Sequence, residues 1–268
     1  MIEVQGLSHT FAGARGRFTA LQGIDLTVEA GSFIALVGPS GSGKTTLLNV
    51  IAGLEPHRGR GTVTVEGQPP RIDAAHISYM LSRDCLLPWR RALANAALGL
   101  EVQGRPRRER EKLATEALAA VGLGDFGHAY PAELSQGMRQ RVALARVFAT
   151  SPRILLLDEP FSALDPQTRI TVQDAFLRLW QQNRSTVVLV THDLSEAISM
   201  ADRVFVMTRR PGRIKAVHDV SLPRPRSAMD LRSDPRFHET YERVWADLRD
   251  EVAAAEADSV LTGARKGA

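Results

Sequence analysis

The sequence predicts an α/β protein in which a parallel-sheet core carries an antiparallel β subdomain and an inserted block of helices. Three observations support this. Apolar runs at 33–37, 154–157, 186–190 and 204–207 are short and almost wholly hydrophobic, the composition of strands buried on both faces of a parallel sheet. A helical pattern from Pro166, with Val172, Phe176 and Leu179 in register, separates the second run from the third, and strands alternating with helices favour parallel pairing. Ile24, Leu26 and Val28 alternate with polar neighbours, as do Val63 and Val65, which is the period of half-buried antiparallel strands. With 268 residues and 44% hydrophobic content, the chain has enough apolar material for one compound domain with a substantial core.

The run at 33–37 organises the rest. It stops at Gly38, and the segment GPSGSGKTT then delivers Lys44 and Thr45 to the head of a helical pattern containing Leu47, Leu48 and Ile51. The spacing Gly38-x-x-x-x-Gly43-Lys44-Thr45, between a buried strand and a helix, is the phosphate-loop motif in its structural context. Gly41 and Gly43 lack Cβ, so the backbone can curl with its N–H groups inward and approach a triphosphate closely. The opening helix adds the positive end of its dipole. Lys44 is expected to reach the β and γ phosphates and the Thr45 hydroxyl to ligate Mg²⁺, with Pro39, Ser40, Ser42 and Thr46 completing the nucleotide-binding loop. A plain Gly-rich turn would not require Lys then Thr at that point.

In chain order, residues 1–66 read mostly as strands, with Phe11 in the irregular stretch HTFAGARGRF, where filling core is one reading. Residues 86–149 turn helical: Leu113, Ala117, Leu118 and Val121 are at helical spacing, and Gly122, Gly124 and Gly127 follow as turn elements. A second helical pattern begins near Gly137 and carries Val142, Ala145 and Phe148 on one side. The expected organisation is an α/β core with its β subdomain at 1–81 and 151–220, a helical subdomain at 82–150 and a C-terminal segment at 221–268. That segment is rich in Arg and Pro until a helix that Ser233 or Asp234 can cap, with Pro235 in its first turn. Phe237, Tyr241, Val244, Trp245, Leu248 and Val252 form an apolar stripe expected to pack on the core, and the helix is expected to fray beyond about Asp258. There is no internal repeat.

Further chemistry lies at the ends of the later strands. ILLLDEP places Asp158 and Glu159 where a buried strand emerges, the edge at which open parallel sheets bind ligands. Asp158 fits an indirect Mg²⁺ partner, and Glu159 a general base for water attacking a γ phosphate. His192, in Thr191-His192-Asp193 after the run at 186–190, is expected at the same edge, able to donate a hydrogen bond to that phosphate. In LSQGMRQRVALAR, Ser135 and the N–H groups around Gly137 stand at a helix start, a second anion site, although Ser135 is also an ordinary N-cap.

Composition excludes several classes. The single cysteine, Cys85, cannot form an internal disulfide, which points to a reducing compartment. No secretory signal is expected from MIEVQGLSHT, and no run of about 18 uncharged apolar residues exists, so a membrane role must come through a partner. The net charge of +4 is mild, and the densest basic cluster, 105–112, is interrupted by Glu109 and Glu111, the pattern of a solvated helix face rather than a nucleic-acid surface.

Together these motifs resemble the ATPase subunit of an ABC transporter. GPSGSGKT is similar to its Walker A, ILLLDEP to its Walker B, LSQGM to its signature, SALD with Ser162 and Asp165 to its D-loop, and His192 to its switch histidine. The resemblance covers most of the first 210 residues. It implies a P-loop NTPase cassette with a RecA-like core, ATP and Mg²⁺ as ligands, and Phe11 as the aromatic that stacks on adenine. It further implies that two cassettes close head to tail, Ser135, Gln136 and Gly137 of one chain meeting the γ phosphate held by Lys44 of the other. A twofold pair of such contacts means a dimer, of identical or similar subunits. The segment CLLPWRRALANAALGLEVQG and the Arg/Pro-rich tail resemble the nitrate, sulfonate and taurine branch of bacterial importers. That branch implies peripheral attachment at the cytoplasmic face of the membrane, two permease subunits docking near Trp89, and an extracytoplasmic solute-binding protein as an indirect partner. Trp89 has two readings, docking anchor or subdomain core. Two departures stand out. Gln136 replaces the usual glycine, and Ser82 stands where the family has its Q-loop glutamine. Serine is two carbons shorter, so a water bridge to Mg²⁺ or backbone movement alone would have to serve. The competing classes are a soluble ABC protein acting on ribosomes or DNA, which usually has tandem cassettes or a coiled-coil insertion that this chain lacks, and a regulatory cassette without turnover.

Overall fold

The computed structural model describes residues 1–13, 16–56, 59–72 and 76–264. The chain opens with an antiparallel hairpin, β1 (Ile2–Gly13) and β2 (Gly16–Val28), followed by β3 (Phe33–Val37), α1 (Lys44–Ile51), β4 (Gly59–Val65) and β5 (Ile77–Met80). Four helices follow: α2 (Ala92–Ala96), α3 (Leu98–Val102), α4 (Arg107–Ala120) and α5 (Gln136–Ala149). The chain then returns to alternation with β6 (Ile154–Asp158), α6 (Pro166–Asn183), β7 (Thr186–Val190), α7 (Leu194–Met200), β8 (Arg203–Met207) and β9 (Ile214–Asp219), and ends in the long helix α8 (Pro235–Ala264).

Two sheets result. β2-β1-β4 is antiparallel, and β5-β6-β7-β3-β8-β9 is parallel except where β9 returns against β8. Strand residues divide strictly by parity between two cores. Ile34 and Leu36 face the antiparallel sheet and α1, packing with Ile2, Val4, Leu47 and Ile51. Phe33, Ala35 and Val37 face the other way, against α5, α6 and α8. Both faces of β3 are therefore dry, which is why its sequence has no polar alternation. β3 lies between β7 and β8 although it precedes both, so the order reverses there and a crevice opens at the strands' carboxyl ends.

The helical block packs α2 and α4 against α5 through Ala92, Ala96, Ala114, Leu118, Val142 and Ala145. The basic cluster is solvated, as its pattern implied: Arg105 and Arg107 pair with Glu109 and Glu111 one turn on, at 3.1 and 2.8 Å. Trp89 is 71% exposed, so core packing is not its role.

Several elements differ from expectation. The stretch around Phe11 is the β1–β2 hairpin end, not irregular chain, and Phe11 is only half-buried. β5 and β9 carried no recognised signal. α8 continues to Ala264 rather than fraying near Asp258, because Ala, Glu, Leu and Val in its last turns support a helix. Its stripe packs as expected at Phe237, Val244 and Leu248, whereas Trp245 is largely exposed. Asp234 accepts from the Arg236 N–H at 2.9 Å, the cap at the helix start.

The Arg/Pro-rich segment is an internal clamp. Arg224 lies over the Trp180 ring at 4.2 Å and bonds Asp202 at 2.6 Å, and Asp202 also accepts from the Phe33 N–H at 3.0 Å, fixing the start of β3. Arg226 is buried and donates to the carbonyls of Ala201, Val220 and Leu222, and burial pushes its guanidinium down to about 10. Arg226→Ala strands three buried carbonyls and is expected to destabilise the protein by roughly 2–4 kcal/mol, measurable as a lower urea midpoint.

Candidate nucleotide site

The crevice beyond β3 is built by the loop at 38–43. Gly41 and Gly43 have φ of 78° and 93°, a left-handed region where a side chain is strained, and a Cβ on Gly43 would come within 2.7 Å of the Leu21 side chain. The curl turns the carbonyls of Gly38 and Pro39 toward the Lys44 ammonium, which donates to them at 2.8 and 3.0 Å and to the Ser42 hydroxyl at 3.2 Å. Burial lowers the Lys44 pKa, opposed by the nearby carboxylates of Glu159 and Asp158. Lys44 thus stands pre-positioned at the cup of the loop.

Asp158, the last residue of β6, is 3% exposed and accepts from the Thr45 hydroxyl at 3.0 Å. Burial raises its pKa, while the Thr45 hydrogen bond pulls it down. A hydroxyl and a carboxylate side by side suit Mg²⁺, a hard cation that takes oxygen ligands and keeps waters and phosphates in the rest of its shell.

Glu159 is a non-glycine residue at φ 49°, a conformation that costs about 1–3 kcal/mol and persists only where the surroundings enforce it. Three bonds do so: its N–H donates to the Val190 carbonyl at 2.9 Å, and its carbonyl accepts from the Ser162 hydroxyl at 3.0 Å and the Ser162 N–H at 3.3 Å. Its carboxylate lies 3.4 Å from His192 Nδ1. The buried Gln140 side chain of α5 donates to the Pro160 carbonyl at 3.0 Å, tying the helical block to this turn.

Glu159, His192, Lys44, Thr45, Thr46 and Phe11 share one cavity of about 290 Å³ with Gly38, Ser40, Gly41 and Gly43. Ser135, Gln136 and Gly137 do not line it. Ser135 caps α5, accepting from the Met138 N–H at 3.2 Å, and stays exposed. Gly137 faces Ala163 and Leu164, where a Cβ would have 3.5 Å to either. Asp165 caps α6, and its hydrogen bonds from Thr168 hold its carboxyl below the usual range. Ser82 is exposed in the loop after β5, outside the cavity. Sequence reading missed three cavity residues, Phe18, Ala20 and Arg210. Phe18 stacks on Phe11 with ring centroids 5.2 Å apart, and Arg210 lies over Phe18 at 5.0 Å. The alternation of β2 was the one available signal for Phe18, and none marked Arg210.

A phosphate loop at the switch point of a doubly covered parallel sheet, facing two carboxylates and a histidine at neighbouring strand ends, defines a P-loop nucleotide-binding protein. Residues 21–162 match the family described as ABC transporter. The uncharacterized ABC transporter ATP-binding protein MJ0412 of Methanocaldococcus jannaschii is 42% identical over 251 residues, which cover 94% of this chain and 92% of that one. The nitrate import ATP-binding protein NrtD of Synechocystis is 38% identical over 253 residues, covering 92% and 95%. The cassette MJ0796, described as a bacterial ABC transporter cassette and solved as a dimer, superposes with a TM-score of 0.76 at 30% identity over 83% of this chain and all of that one. The chain belongs to the ABC transporter family, as one of its ATP-binding cassettes.

Proposed function

We propose that the chain hydrolyses Mg·ATP in a head-to-tail dimer and thereby powers a membrane importer of the nitrate, sulfonate and taurine kind. One observation carries the reading. Lys44, Thr45, Glu159 and His192 line one crevice, with Asp158 bonded to Thr45 behind it, while the helix start at Ser135 and Gly137 lies outside it. An anion-binding helix start unused by its own chain suits a second copy.

In this reading the N–H groups of the Gly-rich loop and Lys44 hold the β and γ phosphates, and Phe11 stacks on the adenine. Thr45 and Asp158 would hold Mg²⁺, which neutralises charge on the phosphate oxygens when bound. Glu159 accepts the proton of the attacking water as its oxygen bonds to the γ phosphorus and the bond to the β-phosphate oxygen breaks. His192, against Glu159, donates to the γ phosphate, and ADP and phosphate leave. Ser135 and Gly137 of the opposing copy close over the γ phosphate, so hydrolysis opens the pair. The solved cassettes similar to this chain are dimers, one of them described as bound to ADP and Pi, which supports pairing of two copies around the nucleotide.

No helix among the described residues is long and apolar enough to cross a membrane, so transport needs separate permease subunits at the cytoplasmic face. Exposed Trp89 supplies a docking anchor. Beside its loop a groove lined by Ile72, Ile77, Leu98, Val102 and Arg146 is apolar at its rim, and Arg146 donates to the carbonyls of Asp84 and Cys85 at 2.8 and 2.9 Å. The likeness to NrtD supports a small oxoanion as solute. Phosphate release by the purified chain with Mg·ATP tests the enzyme, and a rate no higher than buffer would overturn it. Trp89→Ala is expected to leave that rate unchanged while reducing solute uptake at least tenfold in vesicles carrying the complete transporter.

A further inference from the structure

We propose that Arg210 grips the phosphate chain of the bound nucleotide beside Gly41, as a second permanent cation of the site. Among the residues lining the cavity, Lys44 and Arg210 are the two with permanent positive charge. A terminal guanidinium nitrogen of Arg210 comes within 3.7 Å of where a Cβ on Gly41 would stand, so the group reaches from the Phe18 ring to the phosphate loop itself.

The backbone presenting Arg210 is held in place. Thr208 and Arg213 close the turn, with the Thr208 N–H donating to the Arg213 carbonyl and the Arg213 N–H to the Thr208 hydroxyl, each at 3.0 Å. Gly212 then joins β2, its N–H donating to the Ala20 carbonyl and its carbonyl accepting from the Gln22 N–H, both at 2.9 Å. A Cβ on Gly212 would collide with the Ser42 carbonyl, so this turn lies flat against the phosphate loop. The guanidinium, stacked on Phe18, is pre-oriented at small entropic cost, and its planar fork suits two phosphate oxygens.

Electrostatics give the second cation a purpose. Asp158 and Glu159 place two carboxylates around the γ-phosphate end, and Lys44 is already bonded to loop carbonyls. A polyanion entering such a crevice needs further positive charge at its mouth. This inference rests on the cavity being an ATP site.

The test measures binding of ATP, and of inorganic tripolyphosphate as its base-free competitor, to the wild-type chain and to Arg210→Ala and Arg210→Lys. Tripolyphosphate should displace ATP from the wild-type chain. Arg210→Ala should weaken both ligands by roughly tenfold, Arg210→Lys by less, with the difference shrinking at high salt and the melting temperature unchanged. Unaltered ATP affinity in Arg210→Ala would overturn the proposal. So would a loss for ATP with tripolyphosphate affinity intact, which would make Arg210 a prop for Phe18, or a failure of tripolyphosphate to displace ATP. A wild-type chain that bound no ATP would instead remove the underlying site reading, and this inference with it.

Discussion

Glu159→Gln is expected to lower steady-state ATP hydrolysis by roughly 10²- to 10⁴-fold while leaving ATP binding intact. The carboxylate is held at φ 49° by bonds to Val190 and Ser162 that involve only its backbone, so the amide variant keeps the same main-chain trap. Volume and shape are nearly conserved, and what disappears is the basic oxygen 3.4 Å from His192. The lost step is proton acceptance from water, which affects turnover and not nucleotide affinity. Single-turnover phosphate release, paired with equilibrium ATP binding, separates the two. Near-normal release by this variant would take Glu159 out of the mechanism.

The second large effect appears only in mixtures. Gly137→Asp should be inactive alone, because it brings a negative charge to the helix start proposed to face the partner's phosphate. Lys44→Ala should be inactive alone because the phosphate cup loses its ammonium. If each pocket draws Lys44 from one chain and Gly137 from the other, a dimer of the two variants has one pocket with both defects and one with none. Equal mixing makes about half the dimers mixed, so roughly a quarter of wild-type activity should return. If both groups served the same chain's pocket, mixing would restore nothing.

How much of this was legible beforehand depends on the range of the contacts involved. The placement of Lys44, Thr45, Asp158 and Glu159 could be read from sequence because each position is set by a strand, a turn or a helix start that is contiguous in the chain. The four apolar runs were equally clear, since burial on both faces leaves one signature. β5 reads ISYM and keeps only Met80 fully buried, so it lacked the apolar run of its neighbours. β9 alternates, but its six residues include Lys215, His218 and Asp219, and α8 covers part of that edge through an ion pair from Lys215 to Glu251 and a 2.8 Å contact between His218 and Asp247. Arg210 and Gln140 were invisible for a different reason. Arg210 lies about 170 residues from Gly41, and no local pattern records a neighbour that arrives only on folding. The Arg/Pro-rich tail carried no local signal of its role: Arg224 and Arg226 are half-buried and buried clamps, because Asp202, Trp180 and three carbonyls receive them.

The most direct test is the solution mass of the Glu159→Gln chain with and without ATP, by light scattering on a sizing column. At 29.3 kDa per chain, ATP should convert it to a species of twice that mass, and ADP or no nucleotide should leave the single chain. A chain that binds ATP and remains at the mass of one copy would contradict the shared-pocket account.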